Sequence, residues 1–308
     1  MFRAFQLPIS IRELLARTWR EVNDDNCLGL AAQLAYYFIL ALFPALIVVV
    51  AIASFFPRST LQDILAALAP FTPPEVLSLV RAQLDAILAG EQTGLLTVGA
   101  LGALWSSSAA LTAIIDTLNR AYDIEETRPW WKVRLLAIGL TVGLAVFILA
   151  AFTLVVAGPE LARTLVQRFG LDWAVATVWT VVQWPIVFLL VAFAVALTYY
   201  FAPDADQDWA FITPGSVVAT VLWLIASLGF RFYVQNFADY NATYGALGGA
   251  VLLLLWLYVS GVAILVGAEL NSEIEHASPQ GKAPGERVPG RRRRLFAFGR
   301  RPAEAAPR

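Results

Sequence analysis

Six stretches of this 308-residue chain each run for about 20 residues or more without an Asp, Glu, Lys or Arg: approximately 30–56, 94–115, 135–157, 174–202, 211–230 and 245–268. A hydrocarbon layer roughly 30 Å thick is crossed by about 20 helical residues, and only a structure that pairs its own backbone groups survives there. Hydrophobic residues make up 59% of the sequence and charged residues 15%, with mean hydropathy +0.67, which leaves too little polar surface for a soluble fold. The pattern predicts an all-α, polytopic membrane protein with six transmembrane helices. The first run starts too late and extends too far for a signal peptide, so it reads as a retained span.

Charge gives the orientation. Arg3, Arg12, Arg17 and Arg20 precede the first span; Arg120, Arg128, Lys132 and Arg134 lie between the second and third. The sequence after the last span carries Lys282, Arg287, Arg291 to Arg294, Arg300, Arg301 and Arg308. The alternate loops hold only Arg58, Arg81, Arg163, Arg168 and Arg231. The positive-inside rule then puts both termini in the cytoplasm. One loop dissents: PDADQDWA, 203–210, should be cytoplasmic yet carries three Asp and no basic residue. Its alternating Asp residues lack the glycine and final Glu of a calcium loop, so it reads as a solvated turn.

Two domains follow, a membrane domain over 1–275 and a basic tail over 276–308. The tail is rich in Pro, Gly and Arg, has no apolar period and is expected to be disordered, with RRRRLFAFGRR touching anionic lipid headgroups. Before the first span, Leu7, Ile11, Leu14, Leu15, Trp19 and Val22 recur near a helical period. They predict an N-terminal helix lying on the inner leaflet or against the protein's own inner face. Between spans one and two, TPPE at 72–75 starts a helix with a capping Thr, a Pro and a Glu, and Val76, Val80, Leu84 and Ile87 then form an apolar stripe. That predicts an external amphipathic helical cap.

Catalytic chemistry finds little support. There is one histidine, His276, beyond the last span, and one cysteine, Cys27, so neither a disulfide nor a thiolate cage can form within the chain. Zincin, phosphate-loop and nucleophile-elbow motifs are absent. No catalytic residue, metal ligand or cofactor is therefore expected.

Polar residues in the spans are more telling, because lipid penalises each of them. A candidate cytoplasmic cluster comprises Asp25, Asn26, Gln33, Tyr37, Asp116, Asn119, Glu269 and Asn271. A candidate external collar comprises Arg231, Asn236, Asp239, Tyr240, Asn241 and Tyr244, with Tyr233 beside them. Gln33 and Tyr37 are four apart and share a helix face, which is expected to turn inward, while Pro44 frees the Leu40 carbonyl and kinks the first span. These groups either line a polar route or simply join helices.

Three blocks carry a resemblance: DDNCLGLAAQLAYYFILALFP, WSSSAALTAIIDTLNRAYDIEETRPWWKVRLLAI, and the segment from PGSVVATVLWLIASLGF to VGAELNSEI. In order, they make the chain similar to the YihY/BrkB family of bacterial inner-membrane proteins, once labelled ribonuclease BN, over about residues 20–272. Family motif positions present include Asp25, Gln33, Tyr36, Pro44, Trp105, Asn119, Arg128, Pro214, Gly215, Trp223, Tyr240, Tyr244, Gly245, Trp256, Tyr258, Gly267, Glu269 and Asn271. The resemblance implies six spans and a role in envelope integrity. The favoured expectation is a transporter or flippase for an amphiphilic or lipid-linked envelope molecule; the alternative is a non-transporting scaffold. A ribonuclease is disfavoured, since metal-dependent RNA cleavage needs a His or carboxylate cage. Membrane lipids are the expected partners, no specific nucleic acid is expected, and a homo-oligomer is left open.

Overall fold

In a computed structural model the described residues are 9–53, 93–169, 173–237, 246–279 and 281–288, and among them every regular element is a helix. We number them α1 (Ile11–Asp24), α2 (Cys27–Ala53), α3 (Thr93–Ala121), α4 (Trp130–Phe169), α5 (Trp173–Phe201), α6 (Trp209–Phe237) and α7 (Ala246–Ala277). The predicted external cap lies outside the described residues, as do Asp239, Tyr240, Asn241 and Tyr244 and the arginine-rich part of the tail.

Five helices cross-check as spans by length and hydropathy, with cores at 101–121, 130–155, 181–201, 209–233 and 249–277. The sixth arises from α1 and α2 taken together across a 62° bend. That bend has a local cause. Asn26 sits at φ 51°, in the left-handed region that Asn enters more readily than most residues. Gly29, one turn on, leaves space for the Asn26 side chain: a Cβ there would stand 2.9 Å from Asn26 Cγ. At Pro44, by contrast, α2 runs on as helix to Ala53.

The spans form a closed ring. Each helix from α2 to α7 packs on its neighbours in sequence, and α7 closes the circle against α2. Small residues set the closing contact, because a Cβ on Gly261 of α7 would lie 3.3 Å from Ala31 Cα of α2. The inward stripe of α2 is accordingly Cys27, Leu30, Ala31, Leu34, Ala35 and Ala41. Between α6 and α7, Trp223 Nε1 donates to Ser260 Oγ at 3.1 Å and Trp256 Nε1 to Ser227 Oγ at 3.3 Å, with the two indoles edge to face.

Helix α1 forms where the apolar period predicts it and packs against the protein's own end. Ser10 caps it, and Leu14, Thr18 and Val22 face the protein, Leu14 packing with Phe211, Leu270 and Ile274. Ile11, Leu15 and Trp19 form a separate exposed apolar stripe. One end of the ring thus collects α1, the α3–α4 connection, the α5–α6 connection and the residues after α7; we call it the basal end.

Candidate functional site

The basal end is built around carboxylates that face inward. Glu269, 1% exposed, accepts from Cys27 Sγ at 3.3 Å across the α2–α7 contact, and the Asp25 carboxyl lies beside it. Burial, reinforced by the charge of Asp123, pushes the Asp25 carboxyl above its ordinary range. The Cys27–Glu269 bond ties the start of α2 to α7 at this point.

Asn271, two residues along α7, is fully buried and accepts from the Gly215 N–H at 2.6 Å. Pro214 and Gly215 place that N–H against α7 at the point where the α6 and α7 backbones come closest. Tyr122 lies beside Asn271 and Glu275, and its phenol is held in the protonated form chiefly by burial. Tyr199, also buried, donates to the Ile264 carbonyl at 2.5 Å.

A second layer clasps the connections. Asn119 donates through Nδ2 to Glu126 at 2.9 Å and accepts the Asp204 N–H through Oδ1 at 2.8 Å. Asp204 accepts the Thr127 N–H and hydroxyl at 3.0 and 2.7 Å and pairs with Arg128 at 3.5 Å and Arg287 at 3.3 Å. Arg128 in turn grips Glu126 at 2.7 Å and the Ala202 carbonyl. Arg287 also reaches Thr127 Oγ1 and the Glu125 carbonyl. The acidic loop that strained the charge rule is therefore only partly a solvated turn: arginines from two other segments pair with Asp204, while Asp206 and Asp208 are exposed.

The same geometry corrects the expected tail boundary. Residues 281–288, assigned from composition to a disordered tail, pack on the basal end. Lys282, 2% exposed, forms an ion pair with Glu275 at 2.7 Å and donates to the Asp206 carbonyl. A Gly281 Cβ would be driven into the Glu275 backbone, so the glycine permits the close approach. Composition hid this because one buried Lys and one Arg, rather than an apolar period, do the anchoring.

The predicted cluster is thus only partly assembled. Asp25, Asn119, Glu269 and Asn271 belong to the basal network, and Asn26 makes the bend. Tyr37 packs partly buried against the core. Gln33, expected to point inward, is exposed instead. At 100° per residue it falls roughly 180° from the midpoint of Ala31 and Ala35, on the opposite side of the helix, so close helix packing outweighed the cost of one exposed amide. Asp116 is also exposed, pairing with Arg120 one turn away at 3.2 Å. In the expected external collar, Arg231 is exposed on α6, and the side chain of Asn236 lies outside the described ones.

Partial burial works against the ionised Asp204, but the Thr127 bonds and the two arginines outweigh it and hold that carboxyl below its usual range. The same balance, with Arg128 and Asn119 as partners, lowers Glu126. Groups with depressed folded-state pKa contribute stability above their unfolded value, near 4, and lose it as pH falls through the folded value. Acidification below about pH 4 should therefore loosen the clasp. Asp204→Asn should flatten the acid limb of a melting-temperature profile; an unchanged limb would remove Asp204 from the clasp.

Above Tyr199 the ring holds an apolar cavity of about 440 Å³. Its walls are α4, at Leu144, Phe147 and Val155, and α5, at Val187, Val191 and Ala194; Ile114 of α3 and Ile264 of α7 close its inner side. Sequence inspection missed it, since a concavity between apolar helices leaves no polar mark. It also missed Gln183, a buried amide within a span, and Arg134. The guanidinium of Arg134 lies 4.2 Å from the Trp105 ring and donates to the Trp105 carbonyl, fastening α4 to α3. Among the described residues no group of three or more His, Cys, Asp or Glu is placed to hold a metal ion.

Comparison with known proteins gives a consistent picture. The family described as Virulence factor BrkB matches residues 18–291. The ribonuclease-like protein YfkH of Bacillus subtilis (strain 168) is 38% identical over 242 residues, covering 79% of this chain and 88% of its own length. UPF0761 membrane proteins of Xanthomonas campestris pv. campestris (strain B100) and Xanthomonas axonopodis pv. citri (strain 306) are each 32% identical over 290 residues. Those matches cover 91% of this chain but 66% of the relatives, so the chain spans just under two thirds of their length. No solved structure matches the chain.

Proposed function

The chain belongs to the BrkB virulence factor family, and from that premise we propose that it is a transporter or flippase of the bacterial inner membrane, acting on an amphiphilic or lipid-linked envelope molecule. The observation that carries this reading is the apolar cavity inside the helix ring. A concave site of a few hundred Å³ lined by apolar side chains suits a small-molecule ligand. In a bilayer the apolar portion of an amphiphile is the material at hand. The basal end gathers Arg12, Arg17, Arg20, Arg120, Arg128, Lys132, Lys282 and Arg287, which supports a cytoplasmic orientation for it by the positive-inside rule. The exposed stripe Ile11, Leu15 and Trp19 then rests in the inner headgroup region.

A second reading, a non-transporting scaffold for envelope integrity, is favoured by a different observation: Gln33, Asp116 and Glu269 do not border one cavity, and Glu269 is sealed inside a helix contact. The name of the Bacillus relative describes that protein; among the described residues of this chain no His, Cys, Asp and Glu group is placed as the cage that metal-dependent cleavage uses.

Purified protein in liposomes, followed with a fluorescent phospholipid, separates the readings. Movement between leaflets should exceed that in empty vesicles and should fall at least about tenfold in Val191→Trp, which fills the cavity, a loss of about 1.4 kcal/mol or more in ligand stabilisation. A melting temperature matching wild type would show the variant folded. Equal movement in empty and protein-bearing vesicles, across several amphiphile classes, would overturn transport.

A further inference from the structure

Beside the cavity a groove of about 360 Å³ opens between α4 and α5, where Leu135 and Phe201 are exposed. Leu135, Leu136, Gly139 and Gly143 of α4 face Leu197 and Phe201 of α5 across it. A Cβ added at either glycine would meet nothing within 4 Å, so the floor of the groove is open rather than packed. Leu144 and Phe147 line both the groove and the cavity, which makes the two continuous along the α4–α5 seam. From Leu135 to Phe147 the groove runs about 18 Å along the helix, a shape that suits an alkyl chain better than a compact solute.

Lys132 stands before the basal end of this groove. It is exposed, and it precedes Leu135 and Leu136 by three and four residues, so it shares their helix face one turn nearer the basal end. Its ammonium lies 5.5 Å from the centroid of the half-exposed Trp131 ring and pairs with no carboxylate among the described residues. The cations on either side of it are engaged elsewhere, Arg128 by Glu126 and Asp204, and Arg134 by the Trp105 ring and carbonyl. The apolar part of α4 covers 130–155. That length is about 39 Å, more than the roughly 30 Å of hydrocarbon, so its first turn emerges among the headgroups while the groove lies at acyl depth. A cation without a counter-charge at one depth and an alkyl-shaped groove at the next complement an amphiphile with a negative headgroup.

We propose that the α4–α5 groove is a docking site for an anionic phospholipid of the leaflet at the basal end, with one acyl chain in the groove and the phosphate at Lys132. Glycines four apart on a span can also seat a second helix. A second copy packed on this face about a two-fold axis along the membrane normal would bring two Lys132 side chains together at one depth, and the like charges disfavour it. Passage of the lipid from the groove into the cavity rests on the transport reading above; the docking itself does not.

Equilibrium binding to the full chain in detergent micelles tests it, with radiolabelled dioleoylphosphatidylglycerol and dioleoylphosphatidylcholine, which share their acyl chains and differ in headgroup charge. Wild type should bind the anionic lipid about fivefold more tightly, the factor that one basic residue contributes near anionic lipid. Lys132→Gln should remove that preference and leave phosphatidylcholine binding in place, while Lys132→Arg should keep it. Gly139→Leu fills the groove at a position with room for a side chain, and should weaken both lipids about tenfold with the melting temperature unchanged. Inorganic phosphate at matched ionic strength should not displace the lipid; displacement would assign Lys132 to a free anion and overturn the proposal. Equal affinity of wild type for the two lipids, or a preference that survives Lys132→Gln, would overturn it too. So would a protein that is dimeric by light scattering and becomes monomeric in Gly139→Leu with lipid binding intact, since the groove would then belong to a second copy. Lipid movement in vesicles separates docking from transport. A preference that depends on Lys132 without any movement keeps the docking site and removes the transporter; movement of both lipids with no preference in binding does the reverse.

Discussion

Lys282→Met is expected to destabilise the detergent-solubilised protein by about 3–5 kcal/mol, a large effect for a residue 26 positions before the last one. Lys282 and Glu275 are almost wholly removed from solvent and 2.7 Å apart, so removing the ammonium leaves a carboxylate buried with no counter-charge. It also strips the Asp206 carbonyl of its donor and frees residues 281–288 from the basal end. The cost is that of an orphaned charge rather than of a lost attraction, which makes the double variant Lys282→Met, Glu275→Leu informative. A buried pair replaced by apolar side chains of similar size is often close to neutral, so the double variant should recover most of the loss. Chemical or thermal unfolding of the three proteins under one detergent condition decides it. If the double variant is as unstable as the single one, the pair is not what holds the segment.

The fold was largely legible because hydrocarbon imposes one requirement everywhere: long charge-free runs must be helices. The finer arrangement depended on competition between forces that a linear pattern does not rank. On α2 the rule that polar groups turn inward predicts a buried Gln33, whereas Ala31 and Ala35 offer α7 a closer approach, and packing prevailed. In DADQD the composition suggests a solvated turn; Asp204 instead ties together three segments far apart in sequence, through Thr127, Arg128 and Arg287. Glu269 and Asn271 were identifiable as costly side chains near a span end, but their partners, Cys27 and the Gly215 N–H, could not be read from spacing. The contact of Gly158 with Trp179 and Gln183 was invisible for a related reason. Gln183 is a costly side chain of the same kind, and only the α4–α5 pairing brings it to Gly158.

Gly215→Leu is expected to prevent α6 and α7 from packing, at a cost above about 4 kcal/mol, and so to abolish recovery of folded protein. Even the first carbon of the new side chain would be forced into the Gly267 carbonyl and the Asn271 side chain, and backbone atoms of a neighbouring helix cannot step aside as a flexible side chain would. The contact is reciprocal, for a Cβ on Gly267 would stand 2.6 Å from the Gly215 oxygen, 2.6 Å from Ala219 Cβ and 2.7 Å from the Tyr199 hydroxyl. Three interactions would then fail together: the close helix crossing, the Gly215 N–H to Asn271 bond and the Tyr199 bond to Ile264. Gly267→Ala, the smallest change on the opposite helix, should give a milder defect of about 1–3 kcal/mol by overpacking. Gly229→Ala, on the same α6 but with nothing within 4 Å of the added carbon, should be neutral or stabilise by about 0.4–1 kcal/mol. Size-exclusion profiles and melting temperatures of the three variants give the ranking. A Gly215→Leu protein that elutes and melts as wild type does would mean that α6 and α7 are not in backbone contact, and with that contact would go the ring closure that shapes the cavity.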